Sequence, residues 1–229
     1  MSSAVIIGNG EFPRKEYPRE LIRRADRIVC CDRGLEAFLR HRCRIFGPDS
    51  VREPDVVIGD MDSLRPSLQQ QYSKILIHNT GQEDNDQTKA FRYILEHEPE
   101  VDAIHILAAT GKREDHTIGN LSLLMEYARE YGACGIPAGD SGRNIYVDMV
   151  SDHSIAFAVT DSCELHVGAG RALSLFSPDN SLRIRSQGLQ WPTDQVVFDN
   201  WWKATLNRAS ADIVTLTFSH PSIALLILD

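Results

Sequence analysis

Hydrophobic positions in the first two thirds of the chain fall into short β-rich runs separated by longer stretches with helical spacing. Asp55–Gly59, four residues of it apolar or glycine and the whole bounded by Pro54 and a polar turn, predicts a short buried strand. Ala4–Ile7, Arg27–Asp32, Ile75–Ile77 and Ala103–Ala109 read the same way. Between them, residues 18–25 carry Pro18 near a helix start. Residues 34–42 place Leu35, Phe38 and Leu39 on one helical face, and residues 66–73 suit a short helix. Ala90, Phe91, Ile94 and Leu95 form another apolar stripe, as do Leu121, Leu124, Met125 and Ala128. Strands alternating with helices through short loops predict a parallel α/β sheet. Asn144–Val150 is a sixth apolar stretch, preceded by a loop at Gly139–Asn144. Beyond it helical periodicity fades. Ile155–Val159, Leu173–Phe176, Leu182–Ile184, Ile213–Phe218 and Ala224–Leu228 are short runs set apart by turn residues, the pattern of a small β-sandwich or barrel. The expected organisation is a Rossmann-like parallel-sheet α/β domain over residues 1–150 and an all-β domain over 151–229.

Chemistry gathers at one end of the predicted strands. Gly8, Asp32, Asp60 with Asp62, Asp86 and Asp115 each follow an apolar run or open the next helix. In an open parallel sheet, that end is where ligands bind. Asp60 and Asp62, two residues apart in extended chain, point the same way. Two carboxylates so placed repel, and each raises the other's pKa unless a cation lies between them. Magnesium is the expected cation, since it takes hard oxygen ligands from one or two carboxylates plus substrate phosphates. The alternative for these residues is an ordinary polar turn. Asp84, Asn85 or Asp86 can cap the helix that follows, but a cap needs one residue and this cluster offers three. With Asp86 in the first turn, Lys89 stands one turn along on the same side. Gly111 permits a sharp turn, and Lys112 with Arg113 offers charge-assisted phosphate donors beside a helix N-terminus.

Composition narrows the field. The chain has 229 residues, 42% of them apolar, which is enough for a core. Its net charge of −8 lacks the basic footprint of a nucleic-acid binder and suits no anionic membrane surface. No basic segment leading into an apolar one opens the sequence, and no apolar run reaches the roughly 18 residues of a membrane span. A soluble, cytoplasmic protein is expected. The five cysteines, Cys30, Cys31, Cys43, Cys134 and Cys163, contain no Cys-x-x-Cys, and the eight histidines no His-x-x-x-His. A disulfide framework or zinc site is therefore not expected.

The order of these motifs resembles the thiamin pyrophosphokinase (thiamin diphosphokinase) family. Gly59-Asp60-Met61-Asp62-Ser63 resembles the family's Gly-Asp-Phe-Asp-Ser. Asp86-Gln87-Thr88-Lys89-Ala90 resembles its Thr-Asp-x-x-Lys-Ala helix start. Gly111 through Thr117, with Asn120 one turn on, resembles its Gly-Gly-Arg-x-Asp-His-Thr, and Gly188-Leu189-Gln190-Trp191 its Gly-Leu-x-Trp/Tyr segment. Two stretches depart from the pattern. The family's Asp-Gly-Gly-Ala-Asn is here Asp32-Arg33-Gly34-Leu35-Glu36, and its Ser-Asn is Leu206-Asn207. The resemblance implies an α/β domain followed by a β-sandwich, and a homodimer with its sites between subunits. It implies transfer of diphosphate from ATP to thiamin with release of AMP. Asp60, Asp62 and Asp86 would hold magnesium and, with Lys89, form the catalytic set. Asp32, Arg113, Asp115, His116 and Asn120 would bind ATP, and Gln82, Trp191 and Asn207 would meet thiamin. Asp86 is one candidate to receive the hydroxyl proton. Trp201 and Trp202 are further candidates for an aromatic wall, against the alternative that any of the three tryptophans is core. Two rivals come from other classes. An apolar strand followed by Asp-x-Asp is also the nucleophile signature of haloacid-dehalogenase-like phosphatases, although there it follows the first strand. A non-catalytic nucleotide-binding regulatory module is the second.

Overall fold

The structure is a computed structural model that describes residues 2–132 and 145–229. Cys134 and the Gly139–Asn144 loop therefore lie outside the described residues. By internal contacts the chain divides into two units: Met1–Asn120 with Met149–Asp152, and Leu121–Asp148 with His153–Asp229.

The first unit is built on parallel strands β1 (Ser2–Ile7), β2 (Arg27–Cys31), β3 (Val56–Gly59), β4 (Leu76–His78) and β5 (Val101–Leu107). They lie in the order β5-β1-β2-β3-β4. Helices α1 (Glu16–Arg24), α2 (Gly34–Phe46), α3 (Pro66–Gln71) and α4 (Asp86–His97) connect them. α5 (Glu114–Tyr131) follows β5, and β6 (Tyr146–Val150) comes next among the described elements. Residues such as Ile6, Ile28, Val57, Ile104 and Ile106 are almost wholly buried, as a sheet covered on both faces requires. The chain runs outward from β1 through β2, β3 and β4, then returns to set β5 on the other side of β1. That reversal makes a topological switch point between β1 and β5, the place where open α/β sheets bind ligands.

The loops at this point approach closely. Gly8 N–H donates to the Leu107 carbonyl at 2.9 Å, and Gly10 N–H donates to the Ala108 carbonyl. A Cβ on Gly8 would sit 2.7 Å from the Ala108 carbonyl oxygen, so the glycines here serve contact between loops. Asp32, Met61 and Ala108, just beyond β2, β3 and β5, have φ of 41°, 63° and 52°. Non-glycine residues held in the left-handed region are uncommon and collect at functional sites.

The second unit is antiparallel. β7 (Ile155–Val159), β9 (Ala172–Phe176), β11 (Ala204–Arg208) and β13 (Ala224–Leu228) run in the order β11-β9-β13-β7. β8 (Cys163–His166), β10 (Ile184–Gln187) and β12 (Ile213–Phe218) form a three-stranded sheet in the order β10-β12-β8. Phe157, Leu175 and Leu226 from the first set and Leu165, Val214 and Leu216 from the second share one buried cluster. That is the sandwich arrangement the alternating runs predict. Two strands carry no clear signal in sequence. β8 buries only Leu165, because it pairs on one side alone. β11 lies at the end of its sheet, and its register shifts between Ala204 and Asn207, leaving Leu206 at φ 60° and exposed. Cys30, Cys31, Cys43 and Cys163 are free thiols. No helix among the described residues is long and apolar enough to cross a membrane.

The junction of β2 with α2 gives a stability test. A Cβ on Gly34 would fall far inside contact distance of the Ile7 carbonyl oxygen and 3.0 Å from that of Gly8. Both neighbours are backbone, so α2 has to move. Gly34→Ala is expected to lower unfolding stability by about 2 kcal/mol through overpacking. The midpoint of denaturant unfolding would fall with an unchanged slope; an unchanged midpoint would show that the junction yields freely.

Candidate active site

A cavity of about 600 Å³ opens beyond the carboxyl ends of the first unit's strands. Gly8–Gly10 after β1, Cys31–Arg33 after β2, Asp60 after β3 and Ala108–Thr110 after β5 line it, together with the starts of α4 and α5. Each strand delivers one polar group to the same edge, because parallel strands all end there.

At its floor three carboxylates converge. Asp32, Asp60 and Asp86 each offer an oxygen, and these oxygens lie within 4.8 Å of one another. Asp32 is only 7% exposed, and its Oδ1 makes no hydrogen bond while Ser63 Oγ–H donates to Oδ2. Burial first, and then the Asp60 charge, pushes the Asp32 carboxyl above the usual range, against the opposing pull of the Ser63 hydrogen bond. Asp86 is likewise raised, by burial and by Asp60 and Asp32, with Lys89 acting the other way. Gly59 makes the convergence sterically feasible. A Cβ there would lie 3.0 Å from Asp32 Cβ and 3.2 Å from Asp86 Oδ2. Three converging carboxylates, one of them with a buried unpartnered oxygen, make the donor set of a hard divalent cation, so magnesium fits these residues.

Asp62 stands apart from this triad. It is exposed, and its N–H donates to Asp60 Oδ1 at 3.1 Å. The reason lies in Met61. A strand would send residues two apart to one side, but Met61 sits at φ 63° with its side chain buried, and the alternation breaks there. Asp32 takes the third position in the cluster. The clue available in sequence was its place at the end of an apolar strand, shared with several other acidic residues.

α4 begins as the pattern predicts. Asn85 is its N-cap and accepts from Thr88 N–H at 3.0 Å, which leaves Asp86 available to the cavity. Lys89 is buried, and its Nζ donates to the Asn79 carbonyl at 3.0 Å and to Asp86 Oδ1 at 3.3 Å. An ammonium has three donors, so one remains for a ligand. Cys31, also on the cavity wall, donates to the Asp86 carbonyl, and burial holds its thiol well above its ordinary pKa.

The α5 residues divide. Lys112 Nζ donates to Asn9 Oδ1 at 3.2 Å, Arg113 pairs with Asp115, and His116 lines the cavity, exposed. Asp115 itself is exposed and held below the usual carboxylate range, chiefly by Arg113. Asn120 braces the wall: Nδ2 donates to the Ala109 carbonyl at 2.8 Å and Oδ1 accepts from Asn85 Nδ2 at 2.9 Å. Gln82 lines the cavity and donates to the Thr80 carbonyl at 3.3 Å.

In the second unit, Trp191, Trp201 and Trp202 are 54%, 45% and 50% exposed, so none is a core residue. Asn207 is buried, and its amide grips the Trp191 backbone: Oδ1 accepts from the N–H at 3.2 Å and Nδ2 donates to the carbonyl at 2.6 Å.

Comparison with known proteins is consistent along the chain. The family model for the thiamin pyrophosphokinase catalytic domain matches residues 18–134, and that for the thiamin pyrophosphokinase substrate-binding domain matches residues 155–222. Thiamine pyrophosphokinase 1 of Oryza sativa subsp. japonica is 29% identical over 213 residues, covering 83% of this chain and 74% of that protein. Thiamine pyrophosphokinase 1 of Arabidopsis thaliana is 30% identical over 139 residues, 54% of this chain and 51% of its own. Among solved structures, thiamin pyrophosphokinase from Candida albicans superposes with a TM-score of 0.75 over 99% of this chain and 88% of that one, at 18% identity. Thiamine pyrophosphokinase from Bacillus subtilis gives 0.72 over 100% and 99%, at 16% identity. These structural likenesses are of fold.

The triad makes a pH-dependent prediction for metal-free protein. Asp32 has a folded pKa above its ordinary 3.8. The folded state therefore holds the proton longer than the unfolded chain, and stability falls as pH rises from about 3.8 through the folded value. Asn tolerates the left-handed backbone of this position. In EDTA at pH 8, Asp32→Asn should melt about 2–4 °C above the parent, the shift that about 1 kcal/mol produces in a chain of this size. The gain should fade below pH 4, and magnesium should stabilise the parent more than the variant. A variant that melts lower than the parent at pH 8 in EDTA would remove the repulsion argument.

Proposed function

This chain belongs to the thiamin pyrophosphokinase family, and on that premise we propose that it transfers the diphosphate group of ATP to the hydroxyl of thiamin, giving thiamin diphosphate and AMP. The observation that carries the reading is the triad of Asp32, Asp60 and Asp86 at the carboxyl edge of the parallel sheet.

The thiamin hydroxyl oxygen forms a bond to the β-phosphorus, and the bond from that phosphorus to the oxygen bridging to the α-phosphate breaks. AMP leaves with the electron pair. Asp32, Asp60 and Asp86 would hold magnesium, with Asp62 as an auxiliary carboxylate beside Asp60. Bound there, the ion would supply Lewis-acid neutralisation of phosphate charge. Lys89 keeps Asp86 in place and has one donor left for a phosphate oxygen. Asp86 is one candidate carboxylate to take the hydroxyl proton. Arg113, Asp115, His116 and Asn120 serve ATP, with Arg113 exchanging Asp115 for phosphate.

The finer assignments belong to the same proposal. Residues 1–150 supply ATP and magnesium binding, and residues 151–229 serve thiamin. Thiamin meets Gln82 and Trp191, and Asn207 contributes by fixing the Trp191 backbone. The thiazolium cation suits an aromatic face. Two copies of the chain form a homodimer with sites between subunits, in the cytoplasm, with no nucleic acid or membrane as partner. The dehalogenase-like reading has no comparable support, since Asp60 follows the third strand and the chain falls in a different family.

Incubation with thiamin, magnesium and ATP labelled at the β-phosphate tests the reaction. Label should appear in thiamin diphosphate with AMP in equal amount. ADP formed together with thiamin monophosphate would overturn diphosphate transfer. Asp60→Asn should lower kcat/KM about 100-fold or more, the scale on which a transition-state electrostatic contact acts, with the circular dichroism spectrum unchanged.

A further inference from the structure

Four Lys and Arg side chains line the cavity: Arg33, Lys89, Lys112 and Arg113. Three are already engaged. Lys89 is bonded to Asp86 and the Asn79 carbonyl, Lys112 to Asn9, and Arg113 to Asp115. Among the described residues the Arg33 side chain makes no hydrogen bond or ion pair, and although it stands at the N-cap of α2 it does not cap that helix. Its backbone is nonetheless tightly fixed. Asp32 before it is buried in the left-handed region, its carboxylate held by Ser63. Gly34 after it is packed on the Ile7 carbonyl with no room for a Cβ. The result is an exposed, unpaired arginine on a rigid base, next in sequence to Asp32 of the triad and part of the cavity lining.

We infer that Arg33 is a substrate-binding residue that grips the polyphosphate chain of the nucleoside triphosphate beside the triad. The inference rests on the proposed ATP-dependent reaction. The guanidinium fork suits two phosphate oxygens at once. It can reach them without giving up a protein partner, whereas Arg113 must leave Asp115. The family's motif has glycine at this position, so the charge is a feature of this chain's own sequence.

Direct binding tests it. The probes are α,β-methylene-ATP, in which the bond to be broken is replaced, and adenosine, which lacks phosphate, both titrated calorimetrically into the full chain with magnesium. Arg33→Gly restores the family's residue at an ordinary φ of −65°, and thermal melting checks that it folds. It should bind α,β-methylene-ATP about 10- to 100-fold more weakly, as expected for one charge-assisted contact, with adenosine affinity unchanged. Arg33→Lys should recover part of the loss. In turnover the loss should fall on KM for ATP more than on kcat. Equal affinity of parent and Arg33→Gly for α,β-methylene-ATP would overturn the inference while leaving the reaction intact. So would an equal loss for adenosine, which would trace the effect to the nucleoside rather than the phosphates. A parent that binds neither probe would overturn the functional reading and this inference together.

Discussion

Three carboxylates that repel one another are held within reach of a single point by the carboxyl edge of a parallel sheet. Most local features of the first unit follow from that constraint. Gly59 has no side chain because Asp32 and Asp86 fill the space. Lys89, buried, supplies Asp86 with a counter-charge. Ser63 takes one oxygen of Asp32 and leaves the other unpartnered. Asp32 and Met61, both left-handed, turn the chain just beyond β2 and β3, where the triad is assembled. Burying like charges is costly, and the apolar packing beneath, with Val57 and Ile58 of β3 and Phe91 and Ile94 of α4 nearly inaccessible, is what allows the arrangement to persist.

Much of this frame was legible in the residues. Strands buried on both faces give continuous apolar runs, so β1, β2, β3 and β5 stood out and their ends could be read as one edge. Asp84, Asn85 and Asp86 could each be read as the cap of α4, without spacing choosing Asn85, whereas the placement of Lys89 one turn along from Asp86 followed from helical spacing. What spacing could not reveal was backbone conformation inside a turn. Asp-x-Asp in an extended chain puts both carboxylates on one side. With Met61 left-handed and buried, Asp60 alone enters the triad and Asp32, distant in sequence, completes it. Strand β11 lacks a clear pattern for a related reason: its register shift exposes Leu206, so an apolar residue falls where a polar one belongs.

The second unit has a different economy of polar groups. Asn207 uses its amide entirely on its own chain, bracing Trp191 from both sides. Asp179 does similar work between two loops, accepting from Ser181 and Ser222 and contacting His220 at 3.1 Å. These are devices for shaping exposed surface over a small core, where hydrophobic packing alone leaves loops undetermined.

The placement of the tryptophans has an optical consequence. All three lie in the second unit with their rings about half exposed. Intrinsic indole fluorescence therefore reports the surroundings of that unit, and the parallel sheet with its acidic triad contributes no indole signal. The helices of the first unit, by contrast, supply much of the far-ultraviolet circular dichroism. The two spectroscopies weight different parts of one polypeptide, and comparing their melting curves measures whether those parts lose structure as a single cooperative whole.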